Sequence, residues 1–335
     1  MRVVLIGGGS GISTIAPGFL VPGVDLFTAI PTVADSGGDS GIYRRRDGFL
    51  APGDLRHVMH ALAKNEDMKY MLKARVNGIS VGNALLIEHI RRLGVEAGIE
   101  AMGKEVLKPG CRVLPVTAQS VVLKAILENG RRIAYEHKIG ARQDYENSRI
   151  QSVFLDPPAK PAHGVIESIL EADLVVLGPG SLFTSIMPNL MVQGVSEALR
   201  ETRGKVVLIT NLFTDRETYG YNAANIAGVV AGRLGRQRLN GVFCNDSSNI
   251  SQEMLGKYLS EQGSEALEWN PKNRSQSGMM STYTREVVVG NYLSTKDRLL
   301  ARHSKKVVKA ILDWYSSEVA DKKALVPAKE LCQTV

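Results

Sequence analysis

Cysteine is scarce in this chain: Cys111, Cys244 and Cys332 are the three among 335 residues. No two form a Cys-x-x-Cys pair, and their spacing suits neither a zinc site nor a disulfide framework. An odd, sparse set fits a reducing compartment. Long apolar runs are missing too, so no stretch reads as a bilayer span. The residues after Met1 make a short apolar run that breaks at glycine, not the longer apolar region and cleavage site of a secretory signal. A cytoplasmic protein with no membrane attachment is expected. Nucleic-acid motifs and basic–aromatic interleaving are also lacking, so nucleic acid is not an expected partner. There is no internal repeat and no low-complexity tract.

What is present is ordinary globular composition, 44% hydrophobic and 22% charged, enough to bury a sizeable core. The net charge of +7 permits an anionic ligand without naming one. Residues 3–6, Val-Val-Leu-Ile, are continuous and apolar, as a strand buried on both faces must be. Further strands are expected at 26–30, 174–177, 206–210, 241–244 and 287–289, with helices between them. One helix is expected over 13–20, one behind Asp54 as N-cap, one over 81–93, and a last one from about 303 to 317. Asn129-Gly130 between two β-rich runs signals a hairpin. The alternation predicts a Rossmann-like, doubly wound, mostly parallel α/β sheet with a β-hairpin inserted at about 112–140. It reads as a single ligand-binding domain, 1–317, with a mobile tail at 318–335.

The glycine-rich segments fall where strands end. Gly7-Gly8-Gly9-Ser10-Gly11 leaves the first strand and opens a helix, which suits phosphate because glycine admits close approach to backbone N–H groups. Neither the dinucleotide fingerprint nor the Walker pattern is met. Asp35-Ser36-Gly37-Gly38-Asp39 follows the second strand. Its carboxylates among glycines suit Mg²⁺, and Arg44, Arg45 and Arg46 behind it suit phosphate. Gly178-Pro179-Gly180-Ser181, with Thr184 and Ser185, reads as a second anion cradle with free N–H groups and hydroxyls. Asn83 opens a helix and can read a sugar or base edge. Asn211 ends another strand on the same side. His57 and His60 read as helix-surface histidines, and no nucleophile motif is present.

Read in order, Gly7-Gly8-Gly9-Ser10-Gly11, Asp35-Ser36-Gly37-Gly38, Pro52-Gly53-Asp54-Leu55-Arg56, Gly82-Asn83, Gly178-Pro179-Gly180-Ser181 and Pro188-Asn189-Leu190 resemble the CofD/YvcK-like family, from residue 1 to about 245. The resemblance implies one of two roles. The glycine loops and Pro52-Gly53-Asp54 are more similar to the gluconeogenesis-factor branch, which implies binding of a UDP-N-acetylglucosamine-type nucleotide sugar and regulation of carbon metabolism, cell shape and wall synthesis. The other branch implies an Mg²⁺-dependent 2-phospho-L-lactate transferase of deazaflavin coenzyme synthesis. Under the first, Gly8, Gly9, Ser10, Gly11, Gly37, Gly38, Gly178, Gly180 and Ser181 hold phosphate, while Asn83 and Asn211 contact the rest of the ligand. Under the second, Asp35 and Asp54 ligate Mg²⁺ and Arg44 or Arg56 offsets phosphate charge. The chain departs from the family pattern at Ser36, Asp39 and His57. The expected partners are a phosphorylated nucleotide-type molecule, further copies of the chain, and a protein partner met in a ligand-dependent way.

Overall fold

The computed structural model describes residues 1–235, 239–294 and 301–324. Among them are twelve strands: β1 Arg2–Gly7, β2 Leu26–Pro31, β3 Arg75–Val76, β4 Ile79–Ser80, β5 Cys111–Val113, β6 Val122–Leu127, β7 Arg132–Ala134, β8 Ile150–Asp156, β9 Leu174–Leu177, β10 Lys205–Ile209, β11 Gly241–Asn245 and β12 Val287–Gly290. Seven form one sheet in the order β12-β11-β10-β9-β1-β2-β5, and every pairing in it is parallel. Helices cover both faces, which is why β1 and β9 are apolar at every inner position and fully buried. Truncating such a residue, Leu5→Ala for instance, costs about 2–5 kcal/mol.

The strand order positions the site. From β1 the chain builds outward through β2 and β5. It then returns to lay β9 on the other flank of β1 and continues to β12. The order therefore reverses between β1 and β9. At such a point two successive loops diverge from the carboxyl edge and leave a crevice.

All six expected strands lie in this sheet. β5 was not legible: it is three residues long, contains Arg112, and needs only one apolar side because it is an edge. The expected hairpin is β6 and β7, turning at Gly130 with φ +82°. It does not stand alone. β8 pairs with the other side of β6, giving a separate antiparallel sheet ordered β7-β6-β8.

The helices that shape the site are α1 Gly9–Ile15, α2 Gly38–Asp47, α3 Gly53–Ala61, α4 Glu66–Lys73, α5 Val81–Leu93, α6 Val95–Val106 and α7 Glu136–Gly140. α1 begins earlier than residue 13 because packing overrides the poor helix propensity of glycine. It stops at Ile15 because Pro17 lacks an N–H, and a 3₁₀ turn follows at Ala16–Phe19. α3 starts at Gly53 with Pro52 as N-cap and no capping side chain, so Asp54 is not the cap. Leu55, Val58 and Met59 bury the apolar face of α3. The last helix, Lys306–Ala324, runs beyond Ser317 through a segment of good helix formers, held in part by an ion pair between Glu318 and Lys205. The rest of the expected tail, 325–335, lies outside the described residues. Among the described residues no helix is long and apolar enough to cross a membrane.

Candidate functional site

A cleft of about 360 Å³ opens at the carboxyl edge between β1 and β9. One wall is the β1–α1 loop, Gly8 to Gly11. The opposite wall is Gly180, Ser181, Thr184 and Ser185, and the floor carries Asp35, Asp54 and Glu136. Past Ser10, His57 and Ser181 the cleft continues into a second hollow of about 460 Å³, where Thr14, Asn211, Arg302 and His303 stand. His57 sits at the waist between the two.

The glycines allow three segments to meet here. A Cβ on Gly9 would lie 2.4 Å from the Asp54 Cα, and one on Gly11 would lie 2.2 Å from the Pro179 carbonyl oxygen. A Cβ on Gly8 would strike the Ser185 hydroxyl at 2.4 Å. Asn189, fully buried, donates to the Gly7 and Ser185 carbonyls at 3.1 and 2.8 Å and so ties the two walls together.

The floor is acidic. Asp54 accepts the Gly9 N–H, yet burial, aided by the charge of Asp35, lifts its carboxyl to about 7. By exposed area Asp54 is only half-buried, because its carboxyl is ringed by protein but open to the cleft. Glu136 is also raised to about 7, by burial first and by Asp35 next. It arrives from the small sheet: Ser36 Oγ receives the His137 N–H at 3.2 Å and bonds its Nδ1 at 2.8 Å, clamping α7 onto the Asp35 loop. Arg44 braces the same junction by donating to the carbonyls of Ala34, Asp35 and Val121. These carboxyls are oxygen donors of the kind Mg²⁺ takes, usually one or two at a time with phosphate oxygens completing the shell. Among the described residues no three or more His, Cys, Asp or Glu could hold a metal ion by themselves.

The structure brings Gly8, Gly9, Ser10, Gly11, Gly180, Ser181, Asp35, Asp54 and Asn211 to the cleft and its extension. It leaves five expected residues off the lining. Gly178 lies beneath, its N–H donating to the Ile6 carbonyl at 2.8 Å. Gly37 and Gly38 form the start of α2, with the Gly37 N–H on Asp35 Oδ1 at 2.8 Å. Arg56 and Asn83 are buried. Arg56 Nε donates to Asn83 Oδ1 at 3.1 Å, and Asn83 Nδ2 donates to Asp39 Oδ2 at 3.0 Å. Asp39 also accepts the Ser80 N–H at 2.9 Å, so it faces away from Asp35 and fastens α2 to α5. Of the basic trio, Arg46 pairs with Asp47.

The second cradle differs from expectation. The N–H groups of Phe183 and Thr184 are not free, because both donate to Glu217 Oε2 at 3.0 Å. The Thr184 hydroxyl donates to Oε1 at 2.5 Å. Burial pushes the Glu217 carboxyl well above the ordinary range. The Gly180 N–H is taken by Asn211 Oδ1 at 3.2 Å. The turn itself is wide: the N–H of Ile186 reaches back to the Ser181 carbonyl at 3.0 Å, a π-type closure often found at functional sites. Glu136, Glu217 and the cleft role of His57 were missed because each depends on contacts distant in sequence.

A profile of the family described as 2-phospho-L-lactate transferase CofD matches residues 3–288. The chain belongs to the CofD family. Among its relatives is the gluconeogenesis factor of Listeria monocytogenes, 31% identical, with 96% of this chain and 98% of that protein covered. The gluconeogenesis factor of Halalkalibacterium halodurans is 33% identical, with 93% and 96% covered. A crystal structure of a UPF0052-family protein from Bacillus halodurans superposes with a TM-score of 0.84 at 30% identity, covering 93% of this chain and 99% of that one.

Proposed function

We propose that the chain binds a nucleotide sugar of the UDP-N-acetylglucosamine type in the β1–β9 cleft. Its role is then regulation of carbon metabolism, cell shape and wall synthesis rather than turnover. The observation that carries this reading is the two-part cleft at the strand-order reversal. Its waist, the stretch both parts share at Ser10, His57 and Ser181, suits a diphosphate against the glycine loop. The carboxyl-lined half suits the hydroxyl and amide groups of a sugar better than it suits bare phosphate, since carboxyl oxygens accept from such donors and, where ionised, repel an anion. The Asn211 hollow is left for the base. Likeness to proteins named gluconeogenesis factors supports the same branch.

A second reading, an Mg²⁺-dependent 2-phospho-L-lactate transferase, is favoured by one observation: Asp35, Asp54 and Glu136 share the floor. Asp35 and Asp54 would then hold the ion jointly with ligand phosphates, and the bound ion would supply charge neutralisation. The experiment that separates the two is a thermal-shift titration with UDP-N-acetylglucosamine, UDP-glucose, GDP and a deazaflavin, each with and without Mg²⁺. Saturable stabilisation by UDP-sugars that ignores Mg²⁺ is the expected result. Stabilisation by GDP and deazaflavin that requires Mg²⁺, and is lost in Asp54→Asn, reverses the ranking.

A further inference from the structure

We infer that His57 is a ligand-binding residue that donates a hydrogen bond from Nδ1 into the waist of the cleft, with Arg56 as the positioning residue that fixes its tautomer. The inference deepens the nucleotide-sugar reading, on which its choice of ligand rests.

The case is one of donors and acceptors. His57 Nε2 is hydrogen-bonded to Arg56 Nη2. A guanidinium has only N–H groups to offer, so Nε2 must be the acceptor. A neutral imidazole with Nε2 accepting carries its proton on Nδ1. Arg56 cannot turn away, because Nε is held by Asn83 Oδ1 at 3.1 Å and Nη1 by the Leu72 carbonyl at 3.3 Å. Asn83 is held in turn by Asp39. This buried chain explains why Arg56 and Asn83 sit near the site without lining it.

The Nδ1–H faces Ser10 Oγ at 3.4 Å, a distance at which the bond is weak. A ligand phosphate or carbonyl oxygen entering the waist is a better acceptor and displaces the serine. The same arrangement rules out a serine–histidine nucleophile pair. Nδ1 has no lone pair with which to take the Ser10 proton, and Nε2 is occupied. Burial and the positive charge of Arg56, with His60 and Arg75 adding, keep the ring neutral down to about pH 4, against the pull of Asp39. The residue therefore supplies a directed dipole, not a charge.

The test reads the ring nitrogens of the ligand-free, full-length protein by long-range ¹H–¹⁵N spectroscopy, with the His57 signals assigned from His57→Phe. A protonated Nδ1 and a bare Nε2 are expected at pH 7, retained in Arg56→Lys and lost in Arg56→Met. A protonated Nε2 in the wild type overturns the inference whether or not the Arg56 variants fold. Two probes follow, UDP-N-acetylglucosamine and inorganic pyrophosphate. Each is expected to move the Nδ1–H signal, with the Kd rising about tenfold in His57→Phe. If pyrophosphate does so and the nucleotide sugar does not, the nucleotide-sugar reading fails and His57 keeps its role. If neither moves the signal, or His57→Phe binds like the wild type, the role of His57 is wrong.

Discussion

The loop after β1 and the loop after β9 leave adjacent buried strands, carry at least two glycines each and open a helical turn, but different groups occupy their N–H donors. In the first loop, Asp54 takes the Gly9 N–H and stays in the cleft floor. In the second, Glu217 takes two N–H groups and a hydroxyl and is sealed from solvent. One loop lines the open cleft, where the proposed ligand would sit. The other has an internal carboxylate where an anion would sit, and serves as the rigid wall opposite. Glycine content is therefore a poor guide to phosphate binding until the ownership of the N–H groups is known.

Removing Glu217 breaks this contrast most severely. Glu217→Ala orphans three buried donors and is expected to cost at least about 3 kcal/mol in urea unfolding, since each unsatisfied group costs about 1–3. Sulfate or phosphate should return part of that loss in the variant and do nothing comparable for the wild type. Equal anion response in both would mean that Glu217 does not stand in for an anion. Next in size is Gly11→Ala, whose Cβ would meet the Pro179 carbonyl. It should cost about 2–3 kcal/mol as the two walls are forced apart, with ligand stabilisation lost along with it. Asn211→Ala removes one acceptor from the Gly180 N–H and should cost about 1 kcal/mol.

The smallest effect sharpens the difference in the floor. A carboxyl whose folded pKa is raised binds its proton more tightly in the native state. Glu136 therefore costs stability progressively as pH climbs from about 4.5 to about 7. His57 and His303, both lowered to about 4, act oppositely: their contribution rises as pH climbs from about 4 to about 6.5. The net profile mixes the two, so the informative quantity is the difference between Glu136→Gln and wild type. The variant should match the wild type near pH 4.5 and exceed it by roughly 1 kcal/mol above pH 7, after allowance for solvent screening. A difference that does not change with pH would show that Glu136 is not strained by the floor.

The parallel sheet was legible because its inner strands are apolar and buried and end in glycine or polar turns. β5 and β8 were not, since one is a short edge and the other holds polar Gln151 and Ser152, which leave only Val153, Phe154 and Leu155 as an apolar run. Within the site, the β1–α1 loop and the Gly180–Ser181 wall could be placed from strand ends alone. What sequence could not give is the direction a side chain turns. Asp35 and Asp39 look equivalent four residues apart, but one enters the cleft and the other crosses to Ser80 and Asn83. Glu136 joins the floor only because Ser36 clamps α7 to a loop about a hundred residues earlier. His57 looks like a surface histidine until Arg56 is seen behind it.

A crystal structure of the protein with UDP-N-acetylglucosamine tests the central claim most directly. The account predicts diphosphate oxygens at the waist, within hydrogen-bonding reach of the Gly8–Gly11 loop and His57 Nδ1, with the sugar over Asp35, Asp54 and Glu136. A nucleotide lodged elsewhere, or one whose phosphates lie against Phe183 and Thr184 with Glu217 displaced, would contradict it.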